Sequence, residues 1–581
     1  MRLRSFSYGF AYIGNKLYLC GVKLTTMYTA IKWNEYLSAR RERHSEANII
    51  SCSEENTIHP KGSLSVSDSE RSLSISDSEG SLPVLDSERG LSVLDSKGNL
   101  SVSEVSLLGK STHCVDTESR HMEIGAAPHS EDKDTCVGSE ITKCKEELLR
   151  TDYRNEFESD FGRVIFSNAA RRMHDKTQVF PLTNGDSVHT RLTHSMEVMS
   201  VATSLGISIV RNPQFVEAYP QDAIELERRI PAILKTAAFV HDIGNPPFGH
   251  CGEAIIQDFF KHQGAYLIEP LTPQQQLDFT QFDGNAQGFR ILTKMPYLND
   301  LYGLNLTYAT LGAYLKYPNT GSKNKTGDVA LHKHGVFTSE QTVLNHIAEH
   351  CRLYRADGSI KRHPLAFLVE AADTICYRVM DLEDGLQKHL VTIEQTFDYL
   401  ADKLHTTQKD IRERLHLEHK FAQPSTEEKM VVDLRVALMN YLIQVALQTF
   451  LTHIEEIDHG TFGSELLEND PICSALGKWE VEKIFRTGEI ARAELTGETV
   501  LSGILERTTH LLIEKRDWHI GEVISSSMAR LAEAEYQSAH PESAQRLDFL
   551  HIDRYWQLRL IVDWVAGMTD KYAVETYRLL L

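Results

Sequence analysis

From Glu146 to the C-terminus, apolar residues recur at intervals of three and four with polar residues between them. That is the period of an amphipathic α-helix with one stripe facing a core. The segment Val431–Phe450 is typical: Asn440, Gln444 and Gln448 stand four apart and draw one polar stripe down an otherwise apolar run. Connecting segments are short, and the period-two alternation that marks strands is scarce. The pattern predicts a mainly α-helical chain. One apolar stretch ends unusually. Ile233–Val240, interrupted only by Lys235, runs into His241-Asp242 and then a turn with two glycines and two prolines, followed by His250 and Glu253.

Between residues 62 and 106 the pattern changes. Five nine-residue units follow one another: GSLSVSDSE, RSLSISDSE, GSLPVLDSE, RGLSVLDSK and GNLSVSEVS. Alternating Leu and Val/Ile gives them weak β character, but serines and acids fill the rest. Across residues 51–140, 17 Asp+Glu stand against 7 Lys+Arg, so about a sixth of the chain carries half of its formal net charge of −20. Such a composition buries too little apolar surface to offset the entropy of ordering. The segment is expected to be a disordered insertion without chemistry of its own. A calcium-binding nonapeptide solenoid would need Gly-rich turns, which these units lack.

Length and composition narrow the classes further. The 581 residues, 41% of them hydrophobic, suffice for two or three domains or for one large domain with insertions. An acidic chain is a poor general nucleic-acid binder, so a polyanionic substrate would need local cations or a metal. The nine cysteines form no CxxC pair, which fits a reducing, cytoplasmic compartment. No run reaches about 18 apolar residues, so no transmembrane helix is predicted. Arg2 and Arg4 precede an aromatic run as in a signal peptide, but Asn15 and Lys16 interrupt it and no small-residue cleavage site follows. Cys20 follows Leu17-Tyr18-Leu19, too bulky for a lipoprotein signal. Residues 1–26 therefore read as an extension ahead of a domain that begins near Met27.

His-Asp occurs twice, at His174-Asp175 and His241-Asp242. Only the second ends an apolar segment and is followed by further ligand-type residues. A metal site needs more than two donors. "HTRLTHSMEV" offers His194 on one apolar-spaced segment, and "AFLVEAADTICYRVMDLEDG" offers Asp373 on another. His194, His241, Asp242 and Asp373 would leave coordination positions for water and a phosphate oxygen. Their imidazole and carboxylate donors suit a first-row transition metal, or Mg with more water. Arg191, three residues before His194 and on the same helical face, can clamp phosphate oxygens.

The order H…HD…D resembles the HD superfamily of metal-dependent phosphohydrolases. Within it, the chain resembles the bacterial deoxyguanosinetriphosphate triphosphohydrolase (dGTPase) family. The matching stretches are "WNEYLSARR", "RTDYRNEFESDFGRVIFSNAARRMHDKTQVFPL", "TRLTHSMEV", "HDIGNPPFGHCGE", "FDGNAQGFRILT", "RHPLAFLVEAADTICYRVMDLEDG" and "VDWVAGMTDKYAVETYRLL". They span Trp33 to the C-terminus, interrupted by the Ser-rich segment. The resemblance implies an HD-domain helical fold with additional C-terminal helices: a domain start at 27–50, the insertion at 51–140, an HD catalytic core at 146–400 and a helical region at 401–581.

It also implies hydrolysis of a dNTP, dGTP foremost, to deoxynucleoside and triphosphate, by attack of metal-activated water at the α-phosphorus. By position, His194, His241, Asp242 and Asp373 correspond to the metal ligands, with Mg or Mn expected ahead of Fe, Co or Zn. His250 and Glu253 correspond to the catalytic acid/base pair. Tyr377 would pack on the deoxyribose, Asp381 would bind its 3′-hydroxyl, and Gln178 would face the sugar. Asn245, Asn285, Gln287 and Arg290 are expected to line or brace the site. Some relatives carry a His where this chain has Gly284. Relatives are oligomeric, often hexameric, and some respond to dNTPs or single-stranded DNA, which implies a homo-oligomer with such effectors. Two alternatives stay open: an HD phosphohydrolase for another nucleotide, and a non-catalytic nucleotide- or DNA-responsive HD protein.

Overall fold

The computed structural model describes residues 11–13, 16–18, 33–42, 153–178, 189–218, 222–296, 300–324, 327–421, 425–543 and 546–580. The repeat-bearing segment 51–140, the boundary near Met27 and most of residues 1–26 lie outside them. The described residues belong to one unit.

Where the three-and-four spacing predicts helices, helices form. Those that carry the site are α1 (Glu156–Ile165), α2 (Arg191–Val210), α3 (Ala223–Val240), α4 (Gly249–Lys261), α5 (Gly284–Lys294), α6 (Tyr308–Tyr314), α7 (Pro364–Gln387), α8 (Glu427–Thr452), α9 (Pro471–Lys483), α10 (Gly488–Thr509), α11 (Ser526–Ala539), α12 (Arg554–Ala566) and α13 (Asp570–Leu580). Their starts are legible locally. Asn155 and Glu158 close a capping box on α1, Thr190 and Thr193 do so on α2, and Pro364 opens α7 behind the His363 cap.

α2 and α3 lie against each other, and α7 packs on both. The approach of α2 to α3 is close at Gly206, where an added Cβ would lie 2.7 Å from Leu234 Cδ1. α7 also receives α8. By length and composition α8 can cross a membrane, with a mean hydropathy of 1.5 over its most apolar window, although it holds no unbroken apolar run of about 18 residues. Here it is a packing helix. Val431, Leu434, Leu438, Leu442, Ala446 and Phe450 are buried, while the predicted stripe of Asn440, Gln444 and Gln448 is exposed.

The segment 33–42 joins this core from far away in sequence. Trp33, Tyr36 and Leu37 are buried, and Arg41 pairs with Glu156 at 3.0 Å and Asp160 at 2.8 Å on α1. The C-terminal helices close the other flank, with α10 against α4, α12 and α13. Asn285, Gln287 and Arg290 brace rather than line. Tyr314 Oη donates to the Asn285 carbonyl, and Gln287 and Arg290 reach Asp563 on α12. Arg290 also pairs with Glu340 and Glu535, in a fully buried ionic knot.

Candidate active site

Three helices deliver the central residues. His194 sits one turn into α2, His241 ends α3, and Asp373 lies mid-way along α7. One donor atom from each falls within 4.8 Å of the others. His194 Nε2 is 3.2 Å and His241 Nε2 3.4 Å from Asp373 Oδ1. His241 Nδ1 lies 2.8 Å from the Ala238 carbonyl. A proton on Nδ1 donates there, which turns the Nε2 lone pair to the other two groups. His241 Nε2 is buried and makes no hydrogen bond. Two imidazole nitrogens and a carboxylate oxygen, one nitrogen buried without a hydrogen bond, fit a divalent ion.

Electrostatics points the same way. Burial pulls the His241 pKa down, but the charges of Asp242 and Asp373 outweigh it and lift it to about 10. Burial would raise both carboxyls, yet cationic neighbours, Arg191 at Asp242 and His241 at Asp373, hold them well below the usual range. The pair of carboxylates thus draws positive charge to Nε2, as a proton or as a metal.

Asp242 stands beside the trio rather than in it. Its Oδ2 is 3.5 Å from His241 Nε2 and pairs with Arg191 Nη1. Arg191 is buried at the start of α2, its Nε donates to the Thr177 carbonyl at 3.0 Å, and Gly249 lies against its guanidinium. His174 and Asp175 are exposed and pair with each other.

Beyond Arg191 begins α4, with His250 and Glu253 in its first turns. His250 Nδ1 is 2.8 Å from Glu253 Oε2, and Glu253 Oε1 accepts from the Gly284 N–H at 2.7 Å. Glu253 is buried whereas the His250 side chain is 69% exposed, so the carboxylate is fixed and the imidazole faces outward. The hydrogen bond and charge of Glu253 raise the His250 pKa. Burial would raise Glu253, but His250 and Lys333 hold it low. No side chain fits at Gly284, where a Cβ would stand 2.2 Å from Asn245 Oδ1 and 2.7 Å from Glu253 Oε1.

Tyr377 and Asp381 follow Asp373 at one-turn steps along α7. The Tyr377 ring lies 5.7 Å from that of Phe485, between centroids, and 5.3 Å from the Arg378 guanidinium. Asp381 is buried and its Oδ2 makes no hydrogen bond. Burial, with Glu480 and Asp384 nearby, raises its pKa well above the ordinary aspartate value. Burial likewise pushes Glu480 up to about 8, against the pull of Arg378. Gln178 Oε1 is buried without a partner. A cavity of about 670 Å³ adjoins α7, lined by Thr374, Arg378, Glu465, Ser474, Lys478 and Arg486 among others.

Sequence reasoning missed two cations. Lys316 lies 3.4 Å from Glu370, and Asp373 is among the acids that raise its pKa against the effect of burial. Lys333 lies 3.1 Å from Asp283, and burial is outweighed by Glu253 and Asp283, which raise its pKa. Both come from non-helical segments without periodicity, so no sequence pattern marked them.

Comparison with known proteins identifies relatives of the chain. A family model described as a phosphohydrolase-associated domain matches residues 521–579. A protein of Listeria monocytogenes named deoxyguanosinetriphosphate triphosphohydrolase-like protein is 33% identical over 461 residues, covering 76% of this chain and 96% of its own length. A protein of the same name from Listeria innocua matches at the same identity and coverage.

Proposed function

The chain belongs to the deoxyguanosinetriphosphate triphosphohydrolase-like family of HD phosphohydrolases, and from that premise we propose that it hydrolyses a dNTP, dGTP foremost, to deoxynucleoside and inorganic triphosphate. The observation that carries this reading is the convergence of His194, His241 and Asp373 with Arg191 and the His250–Glu253 pair alongside. His194, His241 and Asp373 would hold a divalent ion, with Asp242 as a fourth donor once Arg191 turns to substrate. When bound, that ion supplies Lewis-acid polarisation of a phosphoryl oxygen and a lowered pKa for water.

The remaining chemistry belongs to the chain's own side chains. Arg191, Lys316 and Lys333 neutralise triphosphate charge, which a protein of net charge −20 must do locally. His250, whose pKa Glu253 raises, gives its proton to the leaving ester oxygen, and Glu253 keeps the imidazole aimed. Tyr377 covers the deoxyribose where a 2′-hydroxyl would project. Asp381, buried with its Oδ2 unpartnered, hydrogen-bonds the 3′-hydroxyl, and Gln178 Oε1 accepts from the sugar edge.

The test is to incubate the protein with dGTP and Mn²⁺ or Mg²⁺ and to separate the products by ion-exchange chromatography. Deoxyguanosine with intact triphosphate is expected. Pyrophosphate with dGMP, or phosphate with dGDP, rejects the proposed bond.

A further inference from the structure

We propose that Asp570, the first residue of the last helix, is a positioning residue that sets two parts of the site at once. Its carboxylate is buried and receives three hydrogen bonds from segments far away in sequence. Oδ1 accepts from the Phe248 N–H at 3.0 Å. Oδ2 accepts from the Thr177 N–H at 3.1 Å and from the Thr177 hydroxyl.

Each partner leads to a site residue. Phe248 is the residue before α4 and holds a left-handed conformation, φ 61°. That conformation is strained for a side chain of this size, so it needs outside support. The bond to Asp570 fixes the amide at the point where the chain turns into α4, two residues before His250. Thr177 offers its carbonyl to Arg191 Nε, and it bridges to Thr190 at the start of α2. Asp570 thereby fixes both the guanidinium that pairs with Asp242 and the helix that carries His250 and Glu253. The carboxylate is not spent on its own helix, because the Tyr572 N–H bonds to Thr569 Oγ1 and the Ala573 N–H to the Thr569 carbonyl. The neighbouring Lys176 repeats the tie, donating from Nζ to the Asn245 carbonyl and to the Ala566 carbonyl. The C-terminal helices thus work as a brace on the turn after His241.

The inference rests on the proposed reaction for its kinetic readout and stands apart from it for its structural one. Asp570→Asn and Thr177→Val are compared with the unaltered chain. An Asn nitrogen cannot accept on one of the two sides, and Val removes the hydroxyl while keeping the backbone N–H. In Asp570→Asn, kcat for triphosphate release is expected to fall about 10- to 100-fold, the size seen when the support of a ligating group is removed. Thr177→Val should fall less, with thermal midpoints shifting by only a few degrees. Amide exchange in the peptide 242–252 should accelerate in Asp570→Asn. Unchanged kcat per folded molecule together with unchanged exchange there overturns the proposal. If the unaltered chain releases no triphosphate, the proposed reaction fails, and exchange alone decides the role of Asp570. If Asp570→Asn does not fold, Thr177→Val carries the same measurements, with wild-type values again overturning it.

Discussion

His241 shows how much of a residue's role is set by what its second nitrogen does. Nδ1 faces the Ala238 carbonyl, which leaves Nε2 toward Asp373. Removing any of the three donors should therefore remove the ion, and His194→Ala, His241→Ala and Asp373→Ala are each expected to purify with little bound metal and to lose turnover. Elemental analysis that finds full occupancy in all three refutes the assignment. His250 gives a second test at this scale. Glu253 raises its pKa, so the imidazolium should persist above the ordinary histidine value and be lost only as pH rises through the raised one. Glu253→Gln removes the charge that lifts it, and the titration should move down toward about 6.5. NMR of labelled histidine reads this without turnover, and a midpoint that stays put denies the coupling.

Among the elements, the turn between α3 and α4 is tightly determined. A Cβ on Gly244 would lie 2.0 Å from the Gly288 nitrogen and 2.2 Å from the Gly284 carbonyl oxygen, both backbone atoms of α5 that cannot step aside. At Gly206 the nearest obstacle is the tip of Leu234, 2.7 Å away, which can change rotamer. Gly244→Ala is therefore expected to cost more than Gly206→Ala, with about 1–3 kcal/mol for the former as overpacking against a rigid wall. Calorimetry of the two variants checks the order; equal losses would mean that α5 is free to shift. The helices themselves were legible from spacing and caps, because both signals are local. The packing of α8 was legible only in part. Its polar stripe is in the sequence, but a hydropathy that also suits a membrane gives no sign that α7 covers the other face.

For the whole molecule, the acidic balance and the discontinuous domain matter most. Residues 33–42 pack on α1 although more than a hundred residues separate them, and residues 51–140 fall between the two. Deleting 51–140 should leave a cooperative melt and unchanged turnover, and should halve the net charge to −10. A deletion variant that melts without cooperativity, or loses turnover, would make the segment part of the fold.

The sequence by itself determined the helical class, the choice of His241-Asp242 over His174-Asp175, and the i, i+4, i+8 line from Asp373 to Asp381. Each depends on periodicity or on close neighbours along the chain. Only the tertiary structure decided that Asp242 pairs with Arg191, that backbone at Gly284 holds Glu253, and that Lys316 and Lys333 stand among the site's acids. The same is true of Asp570, which reaches Thr177 and Phe248 across more than three hundred residues. The physical reason is that a helix is fixed by bonds four residues apart, whereas an ion pair or a buried carboxylate takes whichever partners the packing of distant helices brings within about 3 Å.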